Sequence, residues 1–266
     1  MSRLPQELID KIIDQVYPWD RRALGACSLV CSQWSSRSRK YLFIQVELYS
    51  PTDLERWCAH IRPGPQGPSS LVEDLSLLDG RLSMSAPDGT SWFQSSVLSK
   101  ATTHLRSFSG LRALRIMGWD TVAVSTLIML RHFDPLPETV TRLTLERMFI
   151  SPVALLTFIS RFPHLDHLFI STIKNHWKVD DTGGLLHESH GSIVPTHPHG
   201  EFTAFEVGRF DEPEKIFGGI ALLEPQFRRV AFRFILCNMW RSFWPVVEAC
   251  AESLEELVIE VSSMGE

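Results

Sequence analysis

The sequence is short of the features that would make it a secreted, membrane-spanning or nucleic-acid-binding chain. Cysteine is scarce: Cys27, Cys31, Cys58, Cys237 and Cys250 are odd in number and set among apolar neighbours. They make no evenly spaced disulfide framework and read as buried thiols of a reducing compartment. No apolar run approaches the ~18 residues needed to cross a bilayer. Met1 leads straight into a helical pattern without a basic-then-apolar leader, so a cytoplasmic or nuclear location is expected. Positive charge is not in excess either. The 26 Lys and Arg against 31 Asp and Glu give a net charge of -5, which offers no electrostatic footprint for nucleic acid or an anionic membrane.

Signatures of catalysis are missing as well. There is no Gly-x-Ser-x-Gly nucleophile turn, and Asp181-Thr182-Gly183-Gly184 is not followed by the Lys-Ser/Thr of a phosphate loop. His164 and His167 lie near Ser160 and Asp166, a juxtaposition that a chain with ten histidines produces by chance. His187, His190, His197 and His199 with Glu188 bring zinc to mind, but their spacing fits neither a compact tetrahedral site nor a helical histidine pair. That stretch reads as a solvated insertion. No catalytic residue, cofactor or metal is expected of this chain.

What the sequence does contain is a dense apolar pattern at its start. Pro5 suits the opening of a helix, with Glu7 and Asp10 at its positive end. Leu8, Ile9, Ile12, Ile13 and Val16 then recur at helical spacing on one broad face, and Pro18 stops the helix. Asp20 is placed to cap a second helix carrying Ala23, Leu24, Cys27, Val30 and Cys31, and Ser32 to cap a third opened by Trp34. Three such helices make a unit of only ~40 residues, too small to support its own core. Its apolar side chains outnumber what it can bury, so a neighbour or a partner must cover them.

The order Leu4-Pro5-x-Glu7-Leu8-x-x-x-Ile12, then Leu24, then Leu29-Val30-Cys31-x-x-Trp34, resembles the F-box. In that family the module docks substrate receptors onto the Skp-type adaptor of cullin-RING ubiquitin ligases. The resemblance covers residues 1–48 and implies adaptor contacts at Leu4, Pro5, Leu8, Ile12, Ile13, Leu24, Leu29, Val30 and Trp34, some of which will instead be internal to the helices. Gly25 inside the second helix departs from a good helix former and costs about 1 kcal/mol relative to Ala.

Residues 49–266 are organised differently. Ile44, Val46 and Leu48 alternate as a first strand, and Ser50-Pro51 with Asp53 opens a helix bearing Leu54, Trp57, Cys58 and Ile61. The run from Arg62 to Pro68, with three prolines and two glycines, is a loop. An apolar-x-x-apolar-x-apolar unit then recurs with central residues Leu75, Leu114, Leu143, Leu168, Phe205, Val230 and Leu257, spaced by 25 to 39 positions. Amphipathic helices are expected between several copies: one with Val124, Leu127 and Ile128 after Asp120, one after Ser151-Pro152, one after Asp211 and Pro213, and one with Val246, Val247 and Cys250.

Strand and helix in alternation imply an α/β fold with a parallel sheet. The pattern resembles an irregular leucine-rich-repeat solenoid, parallel strands on the concave face and helices outside, without the asparagine of regular repeats. Gly80, Gly118 or Arg147 stands near that position. Together the two resemblances imply the substrate receptor of a Skp-cullin-F-box ligase; the alternatives are a scaffold that binds the adaptor without delivering substrates, and an enzyme using the histidine-rich stretch. Strand alternation sends Arg115, Arg142, His167 and Phe169 to the sheet's free face, together with Ala204 and Glu206. The first four are expected to form a basic and aromatic patch that reads an acidic or phosphorylated peptide.

Overall fold

The computed structural model describes residues 4–17, 19–60, 67–79, 105, 108–118, 138–174, 197–236 and 239–262. The predicted helix over Val124, Leu127 and Ile128, the segment Asp181-Thr182-Gly183-Gly184, and His187 and His190 lie outside them.

Three helices come first, α1 (Gln6–Val16), α2 (Arg21–Val30) and α3 (Ser32–Phe43). Pro5 precedes α1, and its carbonyl accepts the amides of Leu8 and Ile9 at 3.1 and 3.2 Å. Asp20 caps α2 as expected, accepting from the Arg22 and Ala23 amides at 2.8 and 2.9 Å. The start of α3 differs from expectation: Ser32 is already helical, and Cys31 takes the cap position with extended backbone and no side-chain bond. The broad apolar face predicted for α1 divides in two, because adjacent residues on a helix point about 100° apart. Ile9 and Ile13 turn inward with Leu24 to form a small core, against which Val16, Trp34, Tyr41 and Leu42 pack.

This trio runs without a break into the sheet. The Ile44 carbonyl at the end of α3 accepts both the Glu73 and Asp74 amides at 2.9 Å, and Arg21 on α2 donates to the Leu42 and Gln45 carbonyls. Phe43 meets Trp57 edge-on at 5.7 Å, and Trp57 stacks on Phe108 at 6.5 Å. These contacts fix the orientation of the trio on the sheet.

Eight strands follow in sequence order, every neighbouring pair parallel: β1 (Gln45–Leu48), β2 (Asp74–Leu78), β3 (Ala113–Met117), β4 (Arg142–Phe149), β5 (His167–Lys174), β6 (His199–Phe205), β7 (Gln226–Ile235) and β8 (Glu256–Val261). Four helices lie between them among the described residues: α4 (Pro51–His60), α5 (Pro152–Ile159), α6 (Pro213–Ala221) and α7 (Trp240–Ala249). Ser50 and Ser151 cap α4 and α5 through the Asp53 and Ala154 amides, each at 3.2 Å. No side chain caps α6, whose preceding residue Glu212 is left-handed.

Alternate strand residues, from Val46 and Leu75 through Leu143, Leu168 and Phe202 to Val230, share one core with Leu54, Leu155, Ile159, Ile216, Ile220 and Val246 of the helices. All-parallel sheets are usually covered on both faces. Here the described helices pack on one face, and polar side chains stand on the other, which we call the open face. No helix among the described residues is long and apolar enough to cross a membrane.

One predicted repeat is out of register. Leu168 pairs with Phe202 and Ile170 with Ala204, so Phe202 is the central inward residue of β6, and Ala204 is buried instead of emerging. Phe205 takes the open face. Ala204 is small enough to hide among large apolar neighbours, so the bulkier Phe205 beside it carries the stronger apolar signal in the sequence.

Candidate partner-binding surfaces

The N-terminal trio divides its apolar residues cleanly between inside and outside. Ile13 and Leu24 are fully buried, so these two of the expected contact residues hold the helices together instead of facing a partner, and Trp34 packs half-buried against them. Leu4, just before α1, and Leu8 and Ile12 on it, spaced four apart, form an outward stripe, 51, 46 and 41% exposed. Pro5 is exposed beside them. At the end of α2, Leu29 is 86% and Val30 63% exposed. Leu29 and Gln6, which lies between the first two residues of the stripe, line one shallow cleft of about 1140 Å³. A run of uncovered aliphatic side chains on so small a unit is surface that another protein can cover.

The polar faces of the trio are tied down. Asp14 accepts from Arg37 and from the Tyr41 hydroxyl, and the Arg37 bond, with Tyr41 behind it, holds its carboxyl below the usual carboxylate range. Burial and the neighbouring Asp14 carboxylate push the Tyr41 hydroxyl up.

On the open face the strand register lays side chains in rows. One row runs Asp74, Ala113, Arg142, His167, Glu201, Arg229, Glu256 and the next Ser76, Arg115, Thr144, Phe169, Thr203, Ala231, Val258. Polar and charged groups pair across the strands: Arg229 with Glu256 at 3.2 Å, Arg233 with Glu260 at 3.4 Å, and the His167 ring with Glu201 at 3.5 Å. Such cross-strand pairs are modest individually but fix partner strands in register.

The expected basic patch is altered by this pairing. Arg115 gives two 3.1 Å hydrogen bonds to Glu146, so it is not an unengaged cation, and the His167 ring faces the Glu201 carboxylate at 3.5 Å. Arg142 is exposed and makes no ion pair among the described residues, although its charge, with that of Arg115, partly offsets the burial that raises the Asp74 carboxyl. Phe169 stacks on Phe205 at 6.3 Å, and Phe205 meets Phe234 edge-on at 4.9 Å. A diagonal of three rings thus crosses β5, β6 and β7. Phe205 and Phe234 were not among the expected site residues.

The reason lies in a repeated backbone feature. At the same level of five successive strands stands a residue of positive φ: Gly118 (80°), Arg147 (51°), Thr172 (50°), Glu206 (53°) and Phe234 (54°). In β4 to β7 it is an extra residue in the two-residue alternation, so two consecutive side chains face outward before the next turns in. Met148, Ile173, Val207 and Ile235 are all buried just after it. The edge strand β8 lacks the extra residue, and the β7–β8 register slips there, between Arg233 and Ile235. The doubled side chains enclose a cleft of about 500 Å³ lined by Glu146, Arg147, Phe169, Ser171, Thr172, Thr203, Phe205, Glu206 and Arg233.

Of the histidine-rich segment, two described members also pair with acids: His199 Nε2 with Asp166 at 2.7 Å, and His197 with Glu224 at 3.6 Å. Among the described residues no three His, Cys, Asp or Glu side chains converge as a metal site. A scan against protein-family models finds none that matches this chain, and a search of curated proteins finds no similar sequence.

Proposed function

We propose that this chain is the substrate-recognition subunit of a Skp-cullin-F-box type ubiquitin ligase, non-catalytic in itself and working in the cytoplasm or nucleus. Its N-terminal trio is read as an F-box and its parallel sheet as an irregular leucine-rich-repeat solenoid. The observation that carries the reading is the division within the trio. Ile9, Ile13 and Leu24 close its core, while Leu4, Leu8, Ile12, Leu29 and Val30 stay uncovered in positions that the motif assigns to adaptor contact.

The junction supports the same role. A receptor raises the effective concentration of its substrate near a ubiquitin-charged enzyme only if it holds a fixed geometry. Arg21, Ile44 and the Phe43–Trp57 contact supply a stiff joint between the trio and the sheet. The open face, with Arg142 and the aromatic diagonal, is then the side that meets the substrate.

Co-purification with a Skp-type adaptor tests this directly. The full chain is expected to carry the adaptor through a pull-down, and Leu8→Asp with Ile12→Asp to lose it while staying folded. Absence of adaptor binding by the intact chain sinks the proposal.

A further inference from the structure

The cleft at the kinked ends of β4 to β7 has a definite chemistry once its charge pairs are cancelled. Glu146 is engaged by both arms of the Arg115 guanidinium, Arg233 by Glu260, and Glu206 by the Thr172 hydroxyl at 2.8 Å and Arg209 at 3.4 Å. Among the described lining residues, that leaves Arg147 as the charge without a counter-ion, and it is exposed on a left-handed backbone that throws its side chain to the rim. Beside it, the Phe169, Phe205 and Phe234 rings offer an apolar strip across three strands, with Phe234 47% exposed.

We infer that this cleft seats an acidic peptide segment by one aromatic or long aliphatic side chain, laid on the three phenylalanine rings, with a neighbouring carboxylate held by Arg147. The inference rests on reading the open face as the substrate side and names the class of sequence that side takes. An aromatic strip bordered by one unspent guanidinium is how interfaces concentrate their energy, with the anchor supplying burial and the fork supplying direction. A basic segment does not suit the cleft, because its two carboxylates are already satisfied and the residual charge is positive.

The left-handed residues provide a clean variant. Phe234 has a φ of 54°, which glycine accepts without strain. Phe234→Gly therefore removes a third of the apolar strip while relieving the backbone.

The test uses the full chain, immobilised, and a positional-scanning library of short peptides. Selection is expected to favour peptides that join an aromatic, Leu or Met residue to a nearby Asp or Glu. The best of them, measured by fluorescence anisotropy, should bind Phe205→Ala and Phe234→Gly about thirtyfold more weakly, the size of a hot-spot truncation. Against Arg147→Glu it should lose about tenfold, and a peptide with Lys in place of the acid should recover that loss. Selection of basic or purely polar peptides, no selection at all, or unchanged affinity in these variants overturns the inference. Adaptor capture reads a different surface, with none of the cleft's residues, so an intact chain that selects acidic peptides but fails to bind the adaptor refutes the ligase proposal alone. A chain that binds the adaptor but selects no such peptide refutes this inference alone.

Discussion

Asp14 on α1 and Arg37 on α3 are joined by a two-armed contact, the Nε and Nη2 of Arg37 each donating to a separate carboxylate oxygen at 2.9 Å. The Tyr41 hydroxyl adds a third donor at 2.7 Å, and its ring stacks on Tyr17 at 4.3 Å. This clamp holds the first and third helices together on a side away from the Leu4, Leu8 and Ile12 stripe. The trio can therefore leave its aliphatic surface uncovered and still keep its shape.

The clamp predicts an acid dependence. The Asp14 carboxyl titrates below its ordinary value of 3.8 in the folded chain, so its contribution is complete above that value and is lost as pH falls through the depressed folded one. Asp14→Asn should lower the unfolding midpoint modestly at neutral pH, since both partners remain about a third exposed, at 34 and 38%. The gap between variant and parent should close as the solution is acidified. Unfolding curves by circular dichroism across that range check it; a gap that persists after Asp14 is protonated counts against the clamp.

Neighbouring residues on α1 should behave oppositely. Leu8→Ala and Ile12→Ala, both on the exposed stripe, are expected to change stability by no more than about 0.5 kcal/mol. Ile13→Ala and Leu24→Ala empty a fully buried site and should cost roughly 2–5 kcal/mol. Urea unfolding separates them, and the adaptor pull-down should show the reverse ranking among variants that remain folded.

Thiol reactivity offers an independent map. Cys250 is buried, and burial pushes its thiol up, whereas Cys31 is exposed next to Val30. Iodoacetamide should label Cys31 readily and Cys250 only after unfolding, as read by peptide mass mapping. Bound adaptor should protect Cys31. Unaltered labelling of Cys31 in the complex would move the docking surface elsewhere.

Three described glycines, Gly110, Gly200 and Gly219, mark places where packing leaves no room, and the last two make a contrasting pair. A Cβ at Gly219 on α6 would overlap the Leu156 side chain of α5, and one at Gly200, with φ of 83°, would overlap the Asp166 backbone. Gly219→Ala should cost roughly 1–3 kcal/mol, the range for an overpacked core. Gly200→Ala should cost more, because a backbone carbonyl cannot turn aside as a leucine methyl can. Equal midpoints for the two variants would show that the β5–β6 junction is softer than this geometry implies.

Much of the fold can be read from spacing. The first three helices, Asp20 and Ser151 as caps, and the inward sets around Leu75, Leu114, Leu143, Leu168 and Val230 all follow from periodicity and local bonding, whereas Leu257 and Ile259 on the edge strand β8, expected to point inward, are 38 and 45% exposed. The β6 copy did not follow, because a small Ala204 interrupts the row of large side chains at the same point where an extra residue, Glu206, shifts the alternation. The doubled outward pairs Glu146-Arg147, Ser171-Thr172, Phe205-Glu206 and Arg233-Phe234 leave one trace in the sequence, two residues in place of one before a buried apolar residue. A strict two-residue period does not contain it.

The sequence by itself determined which residues are apolar and at what period, and through that the helices, the parallel strands and the excess of aliphatic side chains near the start. Only the tertiary structure decided that Ile13 and Leu24 face inward while Leu8 and Leu29 face water, since a helix face becomes a core only against a neighbour. It also decided which arginines remain unspent. Arg115 met Glu146 from a strand thirty-one residues away in the chain, whereas Arg142 and Arg147 make no ion pair among the described residues, and pairing at that range is set by strand register, which no local pattern encodes.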